Sequence, residues 1–294
     1  MNKKEFGQFY TTNVDYILSE FEYCVNNKSI LDPFAGNGDL LRWAQNNNAK
    51  TTGYDIDSSI YPFNDSLLNI PQCDFILTNP PYLAKNKMSG AQKSKYNCED
   101  LYLLAIERII ESNINEGILI LPVNFLSSNI SVNIRKRFFN QYLVSKVNYF
   151  NNQVFDDTTY NVISFHFIKK ESSKQQLNIV FYPEKVEKSF IIDSKYDYLV
   201  GGEEIATISS IKSLDHSNKP IKDACLIKFN CIDKKNAPIN AEQITLEQFE
   251  INSSRNSICI SFPDIKSNDI IELFNSKLNN LRNKLDKVNK EIEN

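Results

Sequence analysis

Asn79, Pro80, Pro81 and Tyr82 stand together directly after a short apolar run, Phe75 to Leu77. The two prolines fix the backbone and remove two N–H donors. The carbonyls of Asn79 and Pro80 are then left without a regular ladder to join. An amide side chain, a rigid carbonyl and an aromatic face therefore converge at one turn. If Phe75–Leu77 is a buried strand, the turn sits at its carboxyl end, where open α/β sheets bind ligands. Such a set suits a flat, hydrogen-bonding substrate: a nucleobase or an amide.

A second set precedes it. Ser29-Ile30-Leu31-Asp32-Pro33-Phe34-Ala35-Gly36-Asn37-Gly38 reads as a strand entering a glycine-containing loop, with a helix from Asp39 to Gln45. Gly36 and Gly38 allow a tight turn and close approach of a ligand, and the helix start offers free N–H groups. A dinucleotide fingerprint would place a third glycine at 41, where Leu41 stands, so a nicotinamide enzyme is disfavoured. Asp32 beside the loop argues against a pyrophosphate and for a cationic ligand, such as a sulfonium compound with a free ammonium group. Thr51 to Asp57 reads as a second strand ending in acid, about 20 residues beyond the loop, where α/β folds place the carboxylate for ribose hydroxyls. A lone Asp55 or Asp57 could simply cap the next turn, but beside the glycine loop the ribose reading is favoured.

These groups need a frame. Val14, Ile17, Leu18 and Phe21 follow a helical pattern behind the polar-aromatic Gly7-Gln8-Phe9-Tyr10-Thr11-Thr12. Asp100 to Ile110 predicts a helix, and Gly117 to Pro122, Val144 to Phe150 and Tyr160 to Ile168 predict strands. Leu83 to Lys95 holds four lysines and no acid, and reads as a flexible loop able to contact phosphates. Arg135-Lys136-Arg137 reads as a solvated helix face, and His166, between Phe165 and Phe167, as a packed sheet residue. From about 171 segments shorten and the strand–helix alternation stops. That divides the chain into 1–170 and 171–294. A heptad-like pattern from Asn268 to Ile292 closes the sequence.

Bulk properties narrow the classes. The 294 residues suffice for one large domain or two ordinary ones. A net charge of −3 excludes a globally basic nucleic-acid binder, so any such contact must be local. Six scattered cysteines without Cys-x-x-Cys spacing predict free thiols and no metal site. With no signal-like start and no membrane-length apolar run, the expected location is the cytoplasm of a bacterial, phage-infected or virus-infected cell.

The order Asp-Pro-Phe-Ala-Gly-Asn-Gly, Tyr-Asp-Ile-Asp, Asp-Ser-Leu, Asn-Pro-Pro-Tyr, Asp-Leu-Tyr and Gly-Ile-Leu-Ile-Leu-Pro resembles the adenine-N6 DNA methyltransferases of restriction-modification systems, in their gamma motif order. The resemblance covers roughly residues 5 to 168. It implies an α/β, class I S-adenosylmethionine-dependent methyltransferase fold: a Rossmann-like, seven-stranded mixed sheet with one antiparallel strand. It also implies a C-terminal target-recognition region. By motif position, Phe9, Tyr10 and Thr11 would line the methionine end of S-adenosylmethionine, and Asp32 would sit near its ammonium. Phe34, Gly36 and Gly38 would shape the loop. Asp55 would take the ribose hydroxyls, Ile56 would pack on the adenine, and Asp65 would bind its amino group with Ser66 alongside. Asn79, Pro80, Pro81 and Tyr82 would be catalytic. Tyr82 and Phe155 would stack on a flipped base, and Lys85 and Lys87 would contact DNA.

The expected partners are double-stranded DNA and a cognate restriction endonuclease, with no membrane, for a monomer or homodimer. Two rival classes remain. One is a methyltransferase acting on protein glutamine or RNA, since a glutamine amide also needs two acceptors. The other is a catalytically inactive DNA-binding specificity subunit, against which Asn79, Pro80, Tyr82, Gly36 and Asp55 argue. Cytosine-N4 enzymes usually carry serine where Asn79 stands.

Overall fold

The structure is a computed structural model that describes residue 11, residues 13–155 and 161–200, the backbone of 212–213, 225–230, 241–244 and 257–262, and Glu272. It divides into two compact units, Met1–Glu203 and Glu204–Asn294. Phe9, Tyr10 and all of the expected C-terminal helix except Glu272 lie outside the described residues.

The first unit is built on an eight-stranded sheet. Its strands are β1 (Ser29–Asp32), β2 (Lys50–Gly53), β3 (Phe75–Thr78), β4 (Glu116–Pro122), β5 (Tyr142–Phe150), β6 (Val162–Lys169), β7 (Lys174–Tyr182) and β8 (Val186–Asp193). They run in the order β2-β1-β3-β4-β6-β5-β7-β8. β2, β1, β3 and β4 are parallel neighbours. β6 is antiparallel to β4 and β5, β7 is parallel to β5, and β8 returns antiparallel along β7. The expected seven strands with one antiparallel are thus eight with two. The sheet also continues past 170, because Leu177, Ile179, Val180 and Tyr182 of β7 are buried in the same core as β5. The first unit therefore ends near Glu203, beyond the boundary at 170.

Burial explains why such short strands hold. All four residues of β3 are buried, as are Gly117 to Pro122 of β4. Each buried leucine or isoleucine contributes about 1.5–3 kcal/mol relative to an exposed one. A Cβ on Gly117 would lie 2.5 Å from the Ile76 carbonyl, so glycine permits the close approach of β3 and β4.

The N-terminal pattern is not one helix. It forms α1 (Val14–Ile17) and α2 (Glu22–Val25), interrupted by Glu20 at φ +68°. Ile17, Leu18 and Phe21 nonetheless reach the core. After β1 comes α3 (Asp39–Asn46). The lysine-rich stretch is also ordered, as a 3-10 turn (Lys85–Lys87) followed by α4 (Gly90–Tyr96). The flexible-loop expectation fails there because Ser89 and Gln92 form a reciprocal capping box that satisfies free N–H groups at the helix start. α5 (Leu101–Glu111) is N-capped by Asp100 and buries eight of its eleven residues. α6 (Asn124–Ser127) and α7 (Val132–Gln141) complete the described helices of this unit. Arg135 of α7 is buried, not solvated: it donates to the carbonyls of Phe125, Ser128 and Asp197.

In the second unit, β9 (Lys212–Ser213), β10 (Cys225–Asn230), β11 (Ala241–Ile244) and β12 (Ser257–Phe262) form an antiparallel sheet in the order β11-β10-β12-β9.

Candidate active site

The carboxyl ends of β1, β2 and β3 open into one pocket lined by Thr11, Asp32, Phe34, Gly36, Asp55, Ile56, Asp65, Ser66, Asn79 and Pro81, among others. Asp32 ends β1 and is 1% exposed. Its Oδ1 accepts from Thr78 Oγ1 at 2.7 Å and from the Phe34 amide at 3.1 Å. Burial nevertheless pushes its carboxyl up to about 7, those two bonds opposing and nearby Asp55 adding repulsion. A buried acid raised this far favours a bound cation.

Asp55 follows β2, and its two oxygens organise the loops. Oδ2 accepts from the Gly36 amide at 2.8 Å and Oδ1 from the Asp57 amide at 2.9 Å. Each carboxylate oxygen retains acceptor capacity for a ligand hydroxyl. Gly38 has φ +80° and opens α3. That left-handed backbone demands glycine at 38; the Tyr61 hydroxyl lies over the position.

Asp65 is already engaged. Tyr96 donates to its Oδ2 at 2.9 Å, and Lys95 pairs with the same oxygen. The last turn of α4 thereby closes over this end of the pocket. Ser66 is 2% exposed and accepts from Asn64 Nδ2. Tyr96, Asn64, Leu67 and Leu101 line the pocket without having been singled out in the sequence. The capping spacing of Ser89 and Gln92 was the available signal for Tyr96, since it starts the helix that Tyr96 ends.

At the end of β3, Asn79 is half-buried at the pocket wall. Its Nδ2 donates to Thr11 Oγ1 at 3.1 Å, and its Oδ1 accepts from the Tyr82 hydroxyl. Pro80 and Pro81 are buried. Tyr82 is only 5% exposed and packs edge-on against Tyr102, with its hydroxyl 2.8 Å from the Ile120 carbonyl. Burial lifts its phenol well above the ordinary tyrosine value. Phe155 is 2% exposed. Neither ring offers an open face for stacking in this structure, because both fill the core. Lys85 is paired with Glu99 at 2.7 Å, whereas Lys87 is exposed and borders a shallow groove with Met88, Gln92 and Lys95. Among the described residues no cluster could hold a metal ion.

Parallel β2-β1-β3-β4 with antiparallel β6 set between β4 and β5 is a mixed α/β sheet of the kind expected for a protein that binds S-adenosylmethionine. The pocket fits that cofactor. Asp32 meets a buried requirement for a cation, Asp55 keeps acceptor capacity for hydroxyls, and Phe34 and Ile56 offer apolar surface.

Comparison with known proteins narrows the class. Residues 11–155 match the model of the Eco57I restriction-modification methylase family. Over 201 residues the chain is 30% identical to the Type II methyltransferase M.HincII of Haemophilus influenzae, covering 60% of this chain and 40% of that protein. M.HindII from H. influenzae strain Rd is likewise 30% identical, over 60% of this chain and 39% of its own. The chain thus spans about two fifths of the length of the curated relatives it matches. A solved structure, the type I restriction-modification system methyltransferase subunit from Streptococcus thermophilus, resembles it at 16% identity and a TM-score of 0.45, covering 68% of this chain and 53% of that one. Over these residues the chain is similar to methyltransferases of restriction-modification systems.

Proposed function

We propose that this chain methylates the N6 amino group of adenine in duplex DNA at a specific site, as the modification activity of a restriction-modification system. The observation that carries the reading is Asn79, an amide held at the wall of the same pocket that suits the methyl donor.

The amino nitrogen of adenine is a poor nucleophile, because its lone pair is delocalised into the ring. Asn79 Oδ1 and the Pro80 carbonyl would accept its two hydrogens and favour a tetrahedral nitrogen. Neither takes up a proton usefully, so the residues act by positioning and electrostatics. S-adenosylmethionine, when bound, supplies an electrophilic methyl group. Asp32 would hold its ammonium, Asp55 its ribose hydroxyls, and Ile56, Asp65 and Ser66 its base. Asp65 would then exchange Lys95 or Tyr96 for the amino group, or keep Tyr96 as a wall beside it.

An adenine must leave the duplex to reach Asn79. Stacking on it by Tyr82 or Phe155 requires those rings to turn out of the core. Lys87, exposed beside the groove, would supply local positive charge for phosphates. Target recognition is assigned to the region beyond the first unit, and a cognate endonuclease is the expected partner. No helix among the described residues is long and apolar enough to cross a membrane.

The test is transfer of radiolabelled methyl from S-adenosylmethionine to three acceptors: DNA lacking N6-methyladenine, RNA, and a mixed protein fraction. Label in DNA adenine alone supports the reading. Label in protein glutamine or in RNA replaces it, and S-adenosylmethionine binding without transfer favours the inactive subunit.

A further inference from the structure

Thr11 lines the candidate cofactor pocket and also meets the proposed catalytic amide: Asn79 Nδ2 donates to Thr11 Oγ1 at 3.1 Å. We propose that Thr11 is a positioning residue for Asn79, anchoring the amide nitrogen so that the amide oxygen faces the substrate amino group. The inference rests on the methyltransferase reading above and deepens it.

Three observations support it. First, the terminal torsion of asparagine is broad and two-fold, so the side chain does not fix its own orientation. Reversed, the amide would aim its own hydrogens at those of the substrate. Second, Thr11 is 4% exposed, and the segment that follows it is tied down from below. Ser164 of β6 and Asn148 of β5, both fully buried, donate to the carbonyls of Ile17 and Ser19. These polar side chains inside the sheet hold the end of α1 and the turn after it. Third, the opposite end of the amide faces a replaceable donor. Tyr82 has one hydroxyl proton and two acceptors in reach, Asn79 Oδ1 and the Ile120 carbonyl. When a substrate hydrogen takes Oδ1, the phenol proton keeps a partner at Ile120 and no buried donor is orphaned. Anchored at Thr11, the amide exchanges one donor for another without turning.

The experiment compares the full chain with Thr11→Val, which keeps the shape and loses the acceptor, and Thr11→Ser, which keeps the acceptor. S-adenosylmethionine affinity is measured by calorimetry, and single-turnover methyl transfer on DNA lacking N6-methyladenine at saturating cofactor. Loss of one hydrogen bond predicts a roughly tenfold slower transfer at saturating cofactor for Thr11→Val, with Thr11→Ser close to wild type in rate. Thr11→Ala makes the same comparison should the valine variant not fold. Weaker cofactor binding with an unchanged saturated rate would overturn the inference by making Thr11 a cofactor contact. An unchanged rate and affinity, or a serine variant as slow as valine, also overturns it. Wild-type protein that binds cofactor but leaves DNA unmethylated refutes the DNA reading first, and the inference with it.

Discussion

Two polar clusters occupy opposite ends of the same sheet, and they are finished differently. At the amino ends of the strands, Lys28, Glu116 and His166 satisfy one another: the Glu116 carboxylate takes Lys28 on one oxygen and His166 at 2.8 Å on the other. Burial pushes the Glu116 carboxyl up, but those bonds outweigh it and hold it below its ordinary value. Burial lowers His166, with Glu116 opposing. At the carboxyl ends, Asp32 has a hydroxyl and an amide for partners and another carboxylate for a neighbour. A cluster that only holds the sheet together is electrically closed. The one that would receive a ligand is left short of a positive charge.

The comparison can be broken at either end. The largest expected effect is on chemistry: Asn79→Ala should slow methyl transfer on the order of 10²–10³-fold while retaining cofactor affinity, and near-normal single-turnover rates would remove Asn79 from catalysis. Next comes Asp32→Asn, which should weaken S-adenosylmethionine by roughly 30-fold or more, since a buried charge pair is lost. With Asp32 intact, affinity should rise with pH through about 7, because the free protein must give up a proton to bind a cation; calorimetry at pH 6 and pH 8 reads both.

The ligand-free protein carries the opposite trend. Its raised Asp32 adds stability that is present in full below the unfolded carboxyl value and is lost as pH rises through about 7. The loss is on the order of 4 kcal/mol, and Asp32→Asn should flatten it in denaturant titrations. Asp55→Ala should weaken cofactor binding roughly tenfold, as it removes both a hydroxyl acceptor and the bond to Gly36; unchanged affinity would take Asp55 out of the ribose role. The smallest effect belongs to the closed cluster. Glu116→Gln should cost about 1 kcal/mol of stability, given its partly exposed partners, with cofactor affinity untouched.

Much of the site was legible because its residues sit at strand ends. An apolar run that stops at Asp32 or Thr78 announces both the strand and the edge on which the next polar residue lies. Asp32, Asp55, Asp65 and Asn79 do share one pocket. Contacts that depend on how distant segments meet were not legible. Nothing local links Thr11 to Asn79 across 68 residues, or places the Tyr82 ring inside the core. The stretch 83–95 looked mobile because lysines dominate its composition, whereas a capping box decides its conformation. β7 and β8 fall in the region after 171, where segments shorten and the strand–helix alternation stops, although β7 pairs with β5 and buries Leu177, Ile179, Val180 and Tyr182 in the same core. Arg135 looked solvated by residue type, and three backbone carbonyls hold it inside.

The central claim is that Asn79 presents an adenine amino group to the methyl donor. Modification-sensitive sequencing of DNA from cells expressing the wild-type chain or Asn79→Ala tests it most directly. The account predicts N6-methyladenine in one short sequence context with the wild type and none with the variant. Unmodified DNA in both, or modification at cytosine, would contradict it.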